Sequence, residues 1–588
     1  MGDDDWAREE IDAQFARGEL SPESIIARLD DRISNTYALD PEEEVPALEA
    51  AFATASTPGP ADAVLSEPAF ISLLQTRATL PFGPEGIEAG RIIYASVAYL
   101  SALPFAPAAA QRPPAAASQP GLSLAQLRRG LVWALPDRAG YVVEESSDAR
   151  MRTRWDHRRL LFQSLATATL PASPAAADDA AQAALARARA FDVPEESWDL
   201  CAANRDADGD EIYHDLVDVL CATQPARHPG RSAARRDAFR GAATRLRGGF
   251  PALDALAVPA PRFRALARVL LALQFAPPDG ARFGAGGEVA PFEDAAQAVG
   301  AAFAQDAGRG GAAGTVITWR SFARALDVAA PHLFDPLYRL LARAFLGRGA
   351  PVDVLEAPAR PARSPGGAGS GALDLPLQSQ LLTFLAPCVD AASLRRVARY
   401  AASPGSVTPA GFAETLHTEV PDAAIAVFAG RIRSASPASG GGSAEASEGK
   451  PCVFGLYSPA PKADGSGIED PADIDANNAG LRPCALFQLA PVQDVFPGVV
   501  GAEGWRVVGA DEKGGGNLVF GDPGDEKGGI VLTLREGLSR GEIRHRGKGA
   551  EDGEADGGSI VYRANPYRGD WELEFVVEQL EIWTDAEA

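Results

Sequence analysis

The densest run of chemistry-bearing side chains is Asn204-Arg-Asp206-Ala-Asp208-Gly209-Asp210-Glu-Ile212-Tyr-His-Asp215. Oxygen ligands stand at loop positions one, three and five with glycine at six, the spacing at which hard oxygens wrap a calcium ion round a tight turn. Asn204, Asp206, Asp208, Asp210 and Asp215 are therefore the candidate metal ligands, and calcium is the candidate ion. Two positions depart from the pattern. Glu211 takes the apolar eighth place, and Asp215 is shorter than the bidentate glutamate that usually closes such a loop. The competing reading is an acidic helix start, with Asp206, Asp208 and Asp210 at the positive end of a helix through Leu216 and Leu220.

A second pattern, Gly537-Leu-Ser539-Arg-Gly541 with His545 close behind, matches the nucleophile elbow of hydrolases. An elbow needs a strand before it and a helix after it. Ile530 to Leu534 and Glu542 to Arg546 instead read as two strands joined by a turn, so a Gly-rich hairpin is expected. Gly449-Lys450 and Gly547-Lys548 lack the Ser or Thr and the upstream spacing of a phosphate cradle. The six histidines show no pair four residues apart, and no cysteine stands near one at zinc-ligand spacing. No catalytic residue and no organic cofactor is assigned.

Composition narrows the classes. A chain of 588 residues that is 46% hydrophobic can bury a large core. Its net charge of -24 repels phosphate backbones and anionic lipid, so no direct nucleic-acid partner is expected. Five scattered cysteines fit a reducing compartment. The opening MGDDDWAREE has acids where a secretory signal needs a basic and then an apolar stretch, and Trp6 stands where a myristoylation context wants Ser or Thr. The most apolar stretch, 92–110, is interrupted by Pro104 and Pro107, which predicts a buried helix ending near Pro104 and no transmembrane segment.

The elements that must position these residues divide the chain. Pro-, Gly-, Ser- and Ala-rich stretches near 106–120, 167–190, 347–372 and 434–449 read as linkers or long loops, although the alanine run around Leu185 also suits a helix. Leu124, Leu127, Leu131 and Leu135, then Leu160, Leu161 and Leu165, recur at helical spacing. The expected units are a helical region over 1–166, a second over 190–346, a linker over 347–373 and a β-rich domain over 374–588. In the last of these Trp571, Leu573, Phe575 and Val577 alternate with Glu572, Glu574 and Glu578, a half-buried strand with an acidic outer face. The apolar phase then shifts to Leu580 and Ile582, which predicts a bulge at Glu578 or Gln579.

Several segments of the last third resemble the TLDc domain family: Leu486-Phe-Gln-Leu-Ala-Pro-Val-Gln-Asp-Val-Phe496, Asn517-Leu-Val-Phe-Gly-Asp522, Ile530-Val-Leu-Thr-Leu534 with Leu538-Ser-Arg-Gly541, and Gly569-Asp-Trp-Glu-Leu-Glu-Phe575 with Glu581-Ile-Trp583. The stretches 90–105 and 375–384 resemble the fungal restriction-of-telomere-capping members of that family. Val316-Ile-Thr-Trp-Arg-Ser-Phe322 with Pro331-His-Leu-Phe-Asp-Pro336 is similar to the EF-hand-like helical region that precedes the domain in such proteins.

The resemblance implies an α+β chain: a mostly helical, EF-hand-like N-terminal region followed by an antiparallel β-sandwich TLDc domain with flanking helices. It also implies a non-enzymatic adaptor that binds peripheral-sector subunits of the vacuolar proton-pumping ATPase and affects pump assembly and oxidative-stress resistance. The expected location is the cytoplasm and the periphery of the vacuolar membrane. Two alternatives stay open: a calcium-responsive module centred on Asp206 and Asp208, and a hydrolase using Ser539 or a peroxide-consuming enzyme using Cys452 or Cys484.

Overall fold

A computed structural model describes residues 3–58, 63–105, 121–136, 138–144, 152–170, 212–223, 236–247, 253–275, 289–304, 316–348, 354, 358, 371–389, 393–401, 407–418, 423–437, 448–459, 484–498, 505–509, 516–522, 529–547, 562–565 and 568–584. Helices fill the first part and one large antiparallel sheet fills the last, so the chain is α+β as expected.

The helices start where side chains can satisfy the first backbone N–H groups. Ser21 and Ser24 form a reciprocal cap on α1 (Pro22–Asn35), which buries Ile25, Leu29 and Ile33 along one stripe. Helix α2 (Pro84–Ser101) ends just before Pro104, as the sequence predicts. Ser123 and Gln126 cap α3 (Leu124–Ala134), and Thr153 and Asp156 cap α4 (Arg154–Leu165). A methyl group on Gly130 would lie 2.7 Å from the Val97 carbonyl oxygen, so glycine lets α3 approach α2 closely. Further along lie α5 (Ile212–Ala222), α6 (Ala260–Ala272) and α7 (Glu293–Phe303). Buried apolar side chains from Ile11 to Val354 join in one core. No described helix is long and apolar enough to cross a membrane.

Within this layer a helix–strand–helix order occurs twice: the strand Leu256–Pro259 stands between the helix Arg240–Arg247 and α6, and the strand Val316–Thr318 between α7 and the helix Trp319–Arg324. The two strands pair antiparallel, Val258 opposite Ile317.

The large sheet comprises β1 (Arg395–Ala401), β2 (Ala424–Pro437), β3 (Pro451–Ser458), β4 (Ala485–Ala490), β5 (Asp494–Pro497), β6 (Trp505–Val508), β7 (Asn517–Phe520), β8 (Gly529–Arg535), β9 (Arg540–Arg546) and β10 (Trp571–Thr584). Its order is β5-β4-β3-β2-β10-β9-β8-β7-β6, with β1 also pairing β10. β2 runs the length of β10, whose other edge is shared by β9 over Trp571–Val576 and β1 over Gln579–Thr584. The register of β10 against β2 skips Glu578, the bulge that the phase shift requires.

The sheet curls. Phe428 of β2 and Phe520 of β7 are four ladder steps apart, about 19 Å in a flat sheet, yet their ring centroids lie 5.5 Å apart. Inside the curl sits one apolar core; a second lies between the outer face of β2–β5 and helix α8 (Leu375–Leu385).

Candidate functional site

Four of the five candidate calcium ligands, Asn204, Asp206, Asp208 and Asp210, lie outside the described residues. The fifth, Asp215, sits in the first turn of α5, buried against α4. Arg159 Nη1 donates to Oδ2 at 2.7 Å and Nη2 to Oδ1 at 2.9 Å, while Arg152 Nη1 donates to Oδ1 at 2.9 Å. Burial alone would raise the Asp215 pKa, but the two guanidiniums outweigh it and hold it down at about 2. The carboxylate meant to close a calcium loop is thus committed in this structure to a forked ion pair that fixes α5 on α4. Among the described residues no group of three His, Cys, Asp or Glu could hold a metal.

The elbow pattern folds as a hairpin. β8 and β9 pair from Gly529–Arg546 to Arg535–Arg540, and the turn between them places Glu536, Gly537 and Leu538 at positive φ. Ser539 Oγ donates to the Glu536 carbonyl at 2.7 Å. Ser539 and His545 stand at opposite ends of β9, about 20 Å apart at roughly 3.3 Å per residue, so they cannot exchange a proton directly. His545 is buried inside the curl. It accepts from the Asn565 N–H at 2.9 Å through Nε2, so Nδ1 carries the proton that goes to the Gly569 carbonyl at 2.8 Å. Burial, and then the charge of Arg568, press its pKa down to about 3.

The two candidate thiols are disfavoured as thiolates. Burial pushes Cys452 up to about 12, with Glu578 adding to the rise. Cys484 is also raised by burial, against the opposing hydrogen bond with Tyr562.

The acidic strand face is compensated by the neighbouring strands, which corrects the reading from β10 alone. Glu572 pairs with Arg546, and Glu578 with Arg431 at 3.1 Å. Glu542 on β9 pairs with Arg535 at 2.6 Å and Arg544 at 3.1 Å. Glu574 stands directly opposite Glu542 and has no ion pair among the described residues. The outer face is a lattice of both signs.

Three polar groupings escaped the sequence reading. Glu581 is fully buried near the end of β10; its carboxylate accepts from Arg396 at 2.9 Å, the Leu373 N–H at 3.3 Å and the Trp583 indole at 3.1 Å. It ties β10, β1 and the approach to α8 together. Gln493, in the turn between β4 and β5, docks the sheet on the helices: its Nε2 donates to the Ala329 carbonyl at 2.7 Å and to Thr383 Oγ1 at 2.8 Å, and its Oε1 accepts from Gln380 at 3.0 Å. Asp494 accepts from Arg568 at 3.1 Å, and Arg568 lies 4.6 Å over Trp571, whose ring stacks on His545 at 5.2 Å. Burial raises the pKa of Asp494 although Arg568 opposes it. The only sequence signal was a polar residue inside an apolar run, as at Glu581 between Leu580 and Ile582.

No model of a known protein family matches the chain, and no curated protein matches it significantly.

Proposed function

We propose that this protein is a non-enzymatic adaptor of the TLDc family, docking on peripheral-sector subunits of the vacuolar proton-pumping ATPase, with pump assembly and oxidative-stress tolerance as its outputs. One observation carries the reading. The separated segments that resemble the family, Leu486–Phe496, Asn517–Asp522, Ile530–Leu534 and Gly569–Trp583, lie on β4, β5, β7, β8 and β10 of one curled antiparallel sheet. That arrangement suits a β-sandwich TLDc domain. The paired Leu256–Pro259 and Val316–Thr318 strands, each between two helices, suit an EF-hand-like region before it.

Binding is preferred to catalysis because Ser539 and His545 are held apart, His545 has both ring nitrogens engaged, and burial suppresses both thiols. The corresponding location is cytoplasmic, peripheral to the vacuolar membrane. Affinity capture with the full chain, before and after peroxide treatment, tests it: peripheral-sector ATPase subunits should be enriched over a tag-only control. Their absence in both conditions would sink the partner assignment, and turnover in a serine-probe or peroxide-decay assay would sink the adaptor class.

A further inference from the structure

We propose that the helical-layer surface bearing Tyr37 and Tyr141 docks an arginine-bearing segment of a partner protein. Tyr37 is 76% exposed and Tyr141 56%, the most exposed large apolar side chains among the described residues. A tyrosine ring left this far in water gives the fold little burial; at protein interfaces the same residue is a frequent anchor.

The segments that carry the two rings are tied together by arginines. Arg138 Nη1 donates to the Ala38 carbonyl at 3.2 Å and Nη2 to Glu44 at 2.8 Å, pinning the helix Arg138–Val143 to the loop that carries Tyr37. Arg32 Nε donates to the Val142 carbonyl on the same helix. Tyr141 follows Arg138 by about one turn on the same short helix, whose buried residues are Ala139, Val142 and Val143, and is itself exposed.

Charge selects the occupant. Around these ties stand Asp31, Asp40, Glu42, Glu43 and Glu44 against Arg32, Arg138 and Arg348, and the arginines are engaged with Val142, Ala38, Asp40, Glu43 and Glu44. Asp31 and Glu42 have no ion pair among the described residues. Two open aromatic faces beside surplus carboxylate attract a planar guanidinium more than a compact ammonium, because the guanidinium can stack on a ring while donating to a carboxylate. An anionic lipid or nucleic acid would be repelled.

The inference rests on the helical layer and is independent of the family reading of the sheet. Its test is fluorescence anisotropy of a labelled peptide alternating arginine and serine against the full chain at about 0.15 M salt, with lysine–serine and glutamate–serine peptides beside it. The arginine peptide should bind best. The double variant Tyr37→Ala/Tyr141→Ala should weaken it at least about fivefold, while Tyr37→Phe/Tyr141→Phe retains it. The proposal is overturned if the alanine pair binds as tightly as the parent, leaving only the net charge of -24 as attractant, or if the parent does not bind. Unchanged thermal unfolding of the alanine pair, expected from the exposure of both rings, ties the loss to the surface.

Discussion

From Leu573 to Glu578, β10 alternates buried and exposed residues; from Leu580 to Thr584 it is buried without a break. The first half borders β9, whose Gly541, Ile543 and His545 face the curl while Arg540, Glu542, Arg544 and Arg546 face out. The second half lies in the part of the sheet covered by the inner core on one face and by the α8 core on the other. A sheet with one wet face can leave its charges in water, whereas one covered on both faces must satisfy every polar group internally. The same chemical group, a glutamate, is therefore a solvated ornament at Glu574 and a structural hub at Glu581.

The largest expected effect tests that contrast directly. Glu581→Ala strands Arg396, the Leu373 N–H and the Trp583 indole, and should cost about 3–5 kcal/mol, the range for breaking a buried charged pair. Glu574→Ala should stay within about 0.5 kcal/mol. Denaturant unfolding of both variants reads the difference, and equal losses would erase the comparison.

Opposite Val577, beside the bulge of β10, a methyl group on Gly430 would sit 1.9 Å from the Val576 carbonyl oxygen. Gly430→Ala should cost about 1–3 kcal/mol because backbone cannot step aside as a side chain can.

Acid should act on both layers. His545 in the sheet and His157 in the helical layer are each held at about 3 by burial, against 6.5 in the unfolded chain. Between those values the unfolded chain binds protons that the folded chain does not, so stability falls as pH drops from 6.5 toward 3. Each histidine contributes up to about 1.4 kcal/mol per pH unit in that window. His545→Asn should remove about half of the joint slope, read from unfolding midpoints across pH; an unchanged slope would mean that His545 is not buried as a neutral ring.

The smallest effect is a gain. Glu574→Lys replaces a like-charge cross-strand pair with Glu542 by an attractive one and should stabilise by about 0.2–1 kcal/mol. A loss would show that the lattice is tuned against lysine there.

Much of the fold was legible. Helical spacing marked α3 and α4, and alternation marked the first half of β10. The phase shift marked its bulge, and strand–turn–strand chemistry marked the hairpin that replaces the elbow. Sites were legible only where partners are sequence neighbours. Asp215 reads as a loop ligand because Asp206 to Asp210 stand beside it, whereas Arg159, which donates to it in the structure, belongs to another helix and leaves no mark in the local pattern. Glu572 reads as part of an acidic face because Arg546 lies on a different strand.

By itself the sequence determined the element types, their periodicity and the acidic balance, because these depend on the order of side chains along one backbone. The tertiary structure decided which carboxylates are solvated, which are clamped by arginine and which thiols are silenced. Those properties depend on burial and on charges brought together from distant parts of the chain, and no local pattern encodes them.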